Sequence, residues 1–302
     1  MATASYKDRF LIMKAFRGIA LIQVLIITAV ISLLALYFSQ TARLQVKKAS
    51  MAIDQANALV TLHNSEAKML YALATEDKNP NKRVEINQRI PELSFIQEWN
   101  FHGQVFEFSP EVQVELQDLR GLLNLHYPNA ERLKKLFVLF GLSDYDAELT
   151  LHQILDWQDT DTRSKYNMSE PDYRNGALQD ITELSHLPLS AQLIQVLQQT
   201  TTLYKKGNFN PMSSPDYLLK ALLEPSLATN IITLRNNRQL SREQFAQLSG
   251  FTEGDGIILY PSNMFRVKFM VQVGEAKVTK VVTWQLAPSK MKPVNLVAVE
   301  NQ

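Results

Sequence analysis

The clearest hydrophobic pattern lies near the N-terminus. From Ile19 to Phe38 every position is apolar except Gln23, Thr28 and Ser32, and no glycine or proline occurs from Ile19 to Asn79. Roughly twenty helical residues at ~1.5 Å each span the ~30 Å hydrocarbon core of a bilayer. Beyond Phe38, Leu44, Met51, Leu59, Leu62 and Leu70 recur at near-helical spacing among charged residues. These positions hold no strict heptad, which favours a helix packed on its own globular domain over a coiled-coil stalk. The pattern predicts one helix over 19–75, with 19–38 transmembrane, ending before Asn79-Pro80.

From Glu92 to Leu125 the period shifts toward two, through Phe95, Trp99, Val105, Phe106, Phe108, Val112, Val114 and Leu116, with turns at His102-Gly103 and Ser109-Pro110. Two or three antiparallel strands are expected there. Helical signals then take over. Asn129 can cap a helix from Ala130 to Phe140 that Gly141 stops, and a second helix starts at Asp144 or Tyr145 and reaches Trp157. Asp180-Ile-Thr-Glu183 has capping-box form, Ser190 to Gln199 reads as a further helix, and Ser214, Glu224 and Ser241 introduce three more. After Gly250 the alternation returns in Met264–Val273, turns at Gly274-Glu275 and continues over Val278–Leu286, leaving Ala287–Gln302 as a loose tail. Strands stop for a helical block and resume. The simplest account is an α+β fold: an antiparallel-sheet α/β domain split over 76–127 and 251–302, with an all-α domain inserted at 128–250.

Charge orients this arrangement. Lys7, Arg9, Lys14 and Arg17 precede the apolar run against Asp8, a flank that stays cytoplasmic and sends the remainder across the membrane. The apolar run is longer than a secretory h-region, and Ala35-Leu36-Tyr37 is a poor cleavage site, which favours an uncleaved signal anchor. Gly18 keeps a second reading open, because it sits between the basic leader and the apolar run, where a prepilin peptidase cuts and the helix is retained. The 302-residue chain has 31 basic and 30 acidic residues, a net charge of +1 and no long basic run, so nothing points to nucleic acid. The absence of cysteine excludes disulfides, thiolate metal sites and cysteine nucleophiles.

Enzymatic motifs are missing. The histidines 63, 102, 126, 152 and 186 are scattered, and there is no G-x-S-x-G, Walker loop or G-x-G-x-x-G. The chain reads as a non-enzyme. One cluster stands out between Asp144 and Glu183, where carboxylates are opposed only by Arg163, Lys165 and Arg174. Within it Asp156-Trp-Gln-Asp159-Thr-Asp161 closes a helix, so the carboxylates face the unfavourable end of its dipole. A hard cation with oxygen ligands would offset that repulsion, calcium more readily than magnesium; a solvated acidic loop is the alternative. Arg163 at the third ligand position rules out an EF-hand.

Several stretches in order resemble the K-type minor pseudopilins of type II secretion, the general secretion pathway protein K family. They are Arg17-Gly18 with the retained helix, DLRGLLNLH at 118–126, ILDWQDTD at 154–161, ITELSHL at 181–187, FNPMSSPDYLLKALL at 209–223 and SNMFRVKFMVQV at 262–273. The resemblance implies a leader over 1–18, cleavage after Gly18 by prepilin peptidase and N-methylation of Ile19. It also implies a pilin-like domain interrupted by a large helical domain, minor pseudopilins I and J as partners, and the secretin or exoproteins as further contacts. The chain would be a single-pass inner-membrane protein with its bulk in the periplasm. In the family the inserted domain binds calcium near this loop, which carries over to Asp159, Asp161, Glu170 and Asp172, with Asp156 as a bridging group. The sequence departs from the family pattern at Ser169-Glu170-Pro171-Asp172-Tyr173, where a Gly-Ala-Glu-Asp run is usual, and Ile19 stands where phenylalanine is common.

Pilin-like subunits usually carry glutamate at the fifth mature position, offsetting the amine of the next subunit. Counted from Ile19 that position is Gln23. A subunit without this carboxylate cannot neutralise a preceding amine inside a bilayer, and the subunit that starts a fibre has no predecessor. The expected role is therefore initiation and capping of the periplasmic pseudopilus. A periplasmic binding or sensor domain on an uncleaved anchor, and a minor pilin of a surface fibre, remain the alternatives.

Overall fold

The computed structural model describes residues 6–79, 91–161, 173–204, 207–289 and 291–301. The chain divides into two compact units, Met1–Asn57 with Val273–Ala276, and Ala58–Gln272 with Lys277–Gln302.

In the first unit, helix α1 (Tyr6–Thr75) begins and runs unbroken through Gly18 and Ile19. Among the described residues it is the one helix long and apolar enough to cross a membrane, and none of its apolar window is buried. The tip of a later hairpin belongs to the same unit. Asp54 Oδ2 accepts a hydrogen bond from the Glu275 amide at 3.2 Å, and Lys47 Nζ lies 3.8 Å from Glu275. Gly274 has φ +55°, and a Cβ there would meet Asp54 Oδ2 at 2.3 Å, so both its backbone and its approach to the helix require glycine.

The second unit opens with the end of α1, where Ala58, Leu62, Met69, Ala72 and Leu73 are buried on one helical face. A five-stranded antiparallel sheet follows in the order β1 (His102–Ser109), β2 (Val112–Asp118), β5 (Met264–Val273), β6 (Ala276–Ser289), β7 (Lys292–Asn301). β2 pairs with β5 from Val112↔Val271 to Asp118↔Phe265. Alternate residues Val112, Val114 and Leu116 of β2 are buried, as are Phe265, Val267, Phe269 and Val271 of β5. Lys280 Nζ of β6 reaches Glu66 Oε1 at 2.6 Å, tying the sheet to α1.

Between β2 and β5 lies the helical block: α2 (Ala130–Phe140), α3 (Asp144–Asp156), α4 (Ala191–Thr200), α5 (Asp216–Leu222), α6 (Pro225–Asn236) and α7 (Arg242–Ser249). Its own core includes Leu133, Phe137, Leu151, Ile154, Leu197 and Phe245. The ends follow the capping chemistry. Asn129 accepts from the Arg132 amide, Gly141 closes α2 at φ +108°, Ser190 caps α4, and Asp180 and Ser241 form capping boxes. Two short strands, β3 (Leu123–Asn124) and β4 (Thr201–Thr202), pair in parallel inside the block.

Three expectations change. Phe95 belongs to a 3-10 turn over Pro91–Gln97, not to a strand, and Trp99 lies just beyond it; both are buried. The turn expected at His102-Gly103 is instead the start of β1, where the register shifts before Val105; the helix expected after Ser214 is present as α5, and the Ser214 hydroxyl, buried, donates to the Gly121 carbonyl at 2.9 Å. The stretch read as a loose tail is β7, an edge strand on β6 from Lys280↔Asn301 to Ser289↔Lys292. Ala287-Pro288 sits where the ladder shifts register, with Ala287 at φ +46°.

Candidate functional site

The sequence stretches singled out above meet at two places. The first is the neck where the chain leaves the sheet for the helical block and returns. Asp118, the last residue of β2, is fully buried. Its Oδ1 accepts from the Arg120 amide at 3.1 Å, the Ser262 amide at 3.1 Å and the Ser262 hydroxyl at 2.5 Å. One carboxylate thus holds both the outgoing and the returning strand. Arg120 Nη1 donates to the Tyr260 carbonyl at 2.8 Å. Gly121 is needed for close approach, since a Cβ there would meet the Ser213 carbonyl oxygen at 2.1 Å. The Asn210 amide donates to the Arg120 carbonyl at 2.8 Å, and Asn210 caps the turn Pro211–Ser213. The runs at 118–126, 209–223 and 262–273 are therefore one construction. Burial pushes the Asp118 carboxyl above its ordinary value, against its hydrogen bonds and the charge of Arg120.

The second place is the acidic loop after α3. Trp157 closes the helix and stacks on His186, with ring centroids 5.8 Å apart and planes at 4°. Its indole Nε1 donates to Glu183 Oε2 at 3.4 Å. Arg174 Nη1 donates to both oxygens of Glu183, at 2.6 and 2.7 Å, and the Gln179 and Asp180 amides donate to Oε1. Burial raises the Glu183 carboxyl, but the bonds from Arg174, Gln179 and Trp157 outweigh it and hold it below the usual range. Glu183 is thus neutralised from within.

Asp159 differs. Burial raises its carboxyl, and the charges of Asp161 and Asp156 raise it further. Its Oδ1 is buried without a hydrogen-bond partner, as are Gln158 Oε1 and Asn175 Oδ1. The Gly176 amide donates to the Trp157 carbonyl at 3.4 Å, which brings the 175–176 backbone beside 157–158. The Asp159 carboxyl also accepts a bond from the Asp161 amide, which lowers it, and its remaining unpartnered Oδ1 is the oxygen that suits a hard cation.

Of the residues expected to bind metal, Asp159 and Asp161 lie together on this turn, with the charge of Asp156 felt at Asp159. Glu170 and Asp172 fall outside the described residues. No group of three His, Asp or Glu side chains placed to hold an ion occurs among the described residues. Gln158 and Asn175 escaped the sequence reading because neutral amides carry no charge signal; in the structure Asn175 has a left-handed backbone, φ 50°. Gln23 is exposed on α1.

No family model and no curated protein matches the chain. Among solved structures, the crystal structure of the GspK-GspI-GspJ complex from the enterotoxigenic Escherichia coli type 2 secretion system is similar. The TM-score is 0.52 at 18% identity, covering 84% of this chain and 99% of that one. The fold is GspK-like. At that identity the likeness is one of fold alone. The GspK-like fold agrees with the α+β class and with the family that the sequence resembles.

Proposed function

We propose that this protein is a minor pseudopilin of a type II secretion system, a non-enzymatic assembly subunit that starts the periplasmic pseudopilus and caps its tip. The observation that carries the reading is the GspK-like fold over most of the chain, joined to one apolar helix long enough to span a bilayer. The matched structure holds GspI and GspJ beside GspK, and the I-type and J-type pseudopilins are the proposed partners here. Prepilin peptidase would cut between Gly18 and Ile19, leaving 19–38 in the inner membrane with the bulk in the periplasm. Gln23 supports the tip position, because the first subunit has no predecessor's amine to neutralise. The split α/β domain over 76–127 and 251–302, with the helical insert at 128–250, would place the helical block at the fibre's end.

Calcium belongs to the same proposal. Asp159, Asp161, Asp156 and the carbonyl oxygens of Gln158 and Asn175 would hold the ion, together with Glu170 and Asp172. When bound, the ion would supply the positive charge that the loop lacks. The deciding experiment is N-terminal sequencing of the mature protein with co-purification of the two partner pseudopilins. A start at N-methylated Ile19 and a ternary complex are expected; an intact Met1 or Ala2 would sink the reading.

A further inference from the structure

The two faces of the sheet differ in chemistry. On β5, Phe265, Val267 and Phe269 are buried on one face, and the alternating positions Arg266 and Lys268 belong to the other. Across the ladder Lys268 stands opposite Glu115 of β2, and Val281 of β6 stands opposite Glu300 of β7. This charged face and α4 border a cavity of about 510 Å³. Gln195, Gln198 and Gln199 line it from α4, and the buried Thr201, Thr202 and Thr283 line it as well. A volume of that size falls in the range of small-molecule sites.

The polar groups of this lining face the cavity more than one another. Arg266 donates through Nη1 to the Gln198 carbonyl at 2.9 Å. Its Nε and Nη2 make no hydrogen bond among the described residues, and neither is closed off from solvent. No ion pair joins Arg266 or Lys268 to Glu115, Asp180 or Glu300 among the described residues. Burial lowers the Arg266 guanidinium below its ordinary value, with the charges of Glu115 and Glu300 acting the other way. Tyr204 lines the cavity too and is 44% exposed. Burial, with Glu300 and Asp180, raises its phenol, which stays protonated and able to donate. Two cations against three carboxylates leave no excess of positive charge, so the lining does not suit an anion. It offers donors and acceptors side by side. A hydroxyl group donates and accepts at once, so a ligand with several neighbouring hydroxyls satisfies guanidinium, amide and carboxylate together. The tyrosine ring adds an apolar face beside a polar tip.

We propose that the cavity between the sheet and α4 binds a short saccharide. Its hydroxyls accept from Arg266 and the glutamine amides and donate to Glu115 and Glu300, and a sugar ring lies against Tyr204. The site uses neither Asp159 nor Gln23, and it stands whether or not the chain caps a fibre.

The test uses the full chain in polyoxyethylene micelles, whose headgroups carry no sugar. It is titrated with maltotriose and with chitotriose and followed by saturation-transfer NMR on the ligand. At least one of the two is expected to bind with a millimolar dissociation constant or tighter. Binding of chitotriose alone would assign acetamido sugars, and binding of maltotriose would assign recognition by hydroxyls. Tri-alanine, a zwitterion without hydroxyls, should show no transfer. Arg266→Met should weaken sugar binding about tenfold, the size of a lost hydrogen bond to a charged group. Gln195→Ala and Tyr204→Ala, both exposed changes that spare the fold, should weaken it several-fold. No transfer to either sugar, transfer to tri-alanine alone, or unchanged sugar affinity in these variants would overturn the proposal. Should Arg266→Met fail to fold, Gln195→Ala and Tyr204→Ala decide alone.

Discussion

Asp118 at the neck and Asp159 in the acidic loop are both carboxyls raised by burial, yet they sit in opposite company. Asp118 receives three hydrogen bonds from two chain crossings and the charge of Arg120. Asp159 faces Asp161 and Asp156 and takes one backbone bond, from Asp161. Each carboxylate keeps one oxygen buried without a partner, Asp118 Oδ2 and Asp159 Oδ1. The first is offset by three donors and a nearby cation and binds the fold together; the second sits among like charges that a cation from outside would offset. Glu183, a short distance along the chain, lies between them: an acid in the cluster that Arg174 neutralises from within.

The contrast can be broken most sharply at the neck. Asp118→Ala removes three bonds at a fully buried site and should cost about 2–4 kcal/mol, read by urea unfolding. Calcium should restore none of it. Glu183→Gln should cost about 1–2 kcal/mol, because it weakens the bond pair to Arg174 and the anchor of Trp157. A smaller effect is expected at Asp159→Asn. With chelator present the variant should equal the wild type or gain up to about 0.5 kcal/mol from relieved repulsion, after screening by solvent. With calcium present it should lose the rise in melting temperature that the wild type shows. Equal calcium responses would remove the metal from the proposal.

Acidity sharpens the same pair. A carboxyl whose native value lies above its unfolded one penalises the native state wherever it is ionised. The stability gap between Asp159→Asn and the wild type in chelator should therefore be full at neutral pH. It should close as the pH falls through the raised native value toward the ordinary carboxylate range. Smallest of all is Gln23→Glu. It should leave melting unchanged, since the side chain is exposed on α1, and alter only co-assembly with partner pseudopilins.

Much of the fold was legible because its signals are local. The capping residues Asn129, Asp180, Ser190 and Ser241 and the stop at Gly141 act within a turn of their own position, and each stands where the sequence put it. What escaped depends on distant partners. β7 exposes Leu296 and Val299 and takes its order from β6, so its pattern alone looked weak. The neck was visible as three separate motifs, but their convergence on Asp118 is a property of the closed sheet. In the acidic loop the charges were plain and the neutral oxygens were not.

The register Asp118↔Phe265 also dictates an order of events. Every helix from α2 to α7 lies in the loop that this pairing closes, so β2 cannot find β5 until the whole block has been made. The block joins near neighbours, such as α2 with α3, and distant elements, such as α2 with α5, and the near contacts form first. Once collapsed, the block brings Ser262 back beside Asp118, and a long search becomes a short one. Weakening a helix cap such as Asn129 would then slow completion of a sheet it never touches.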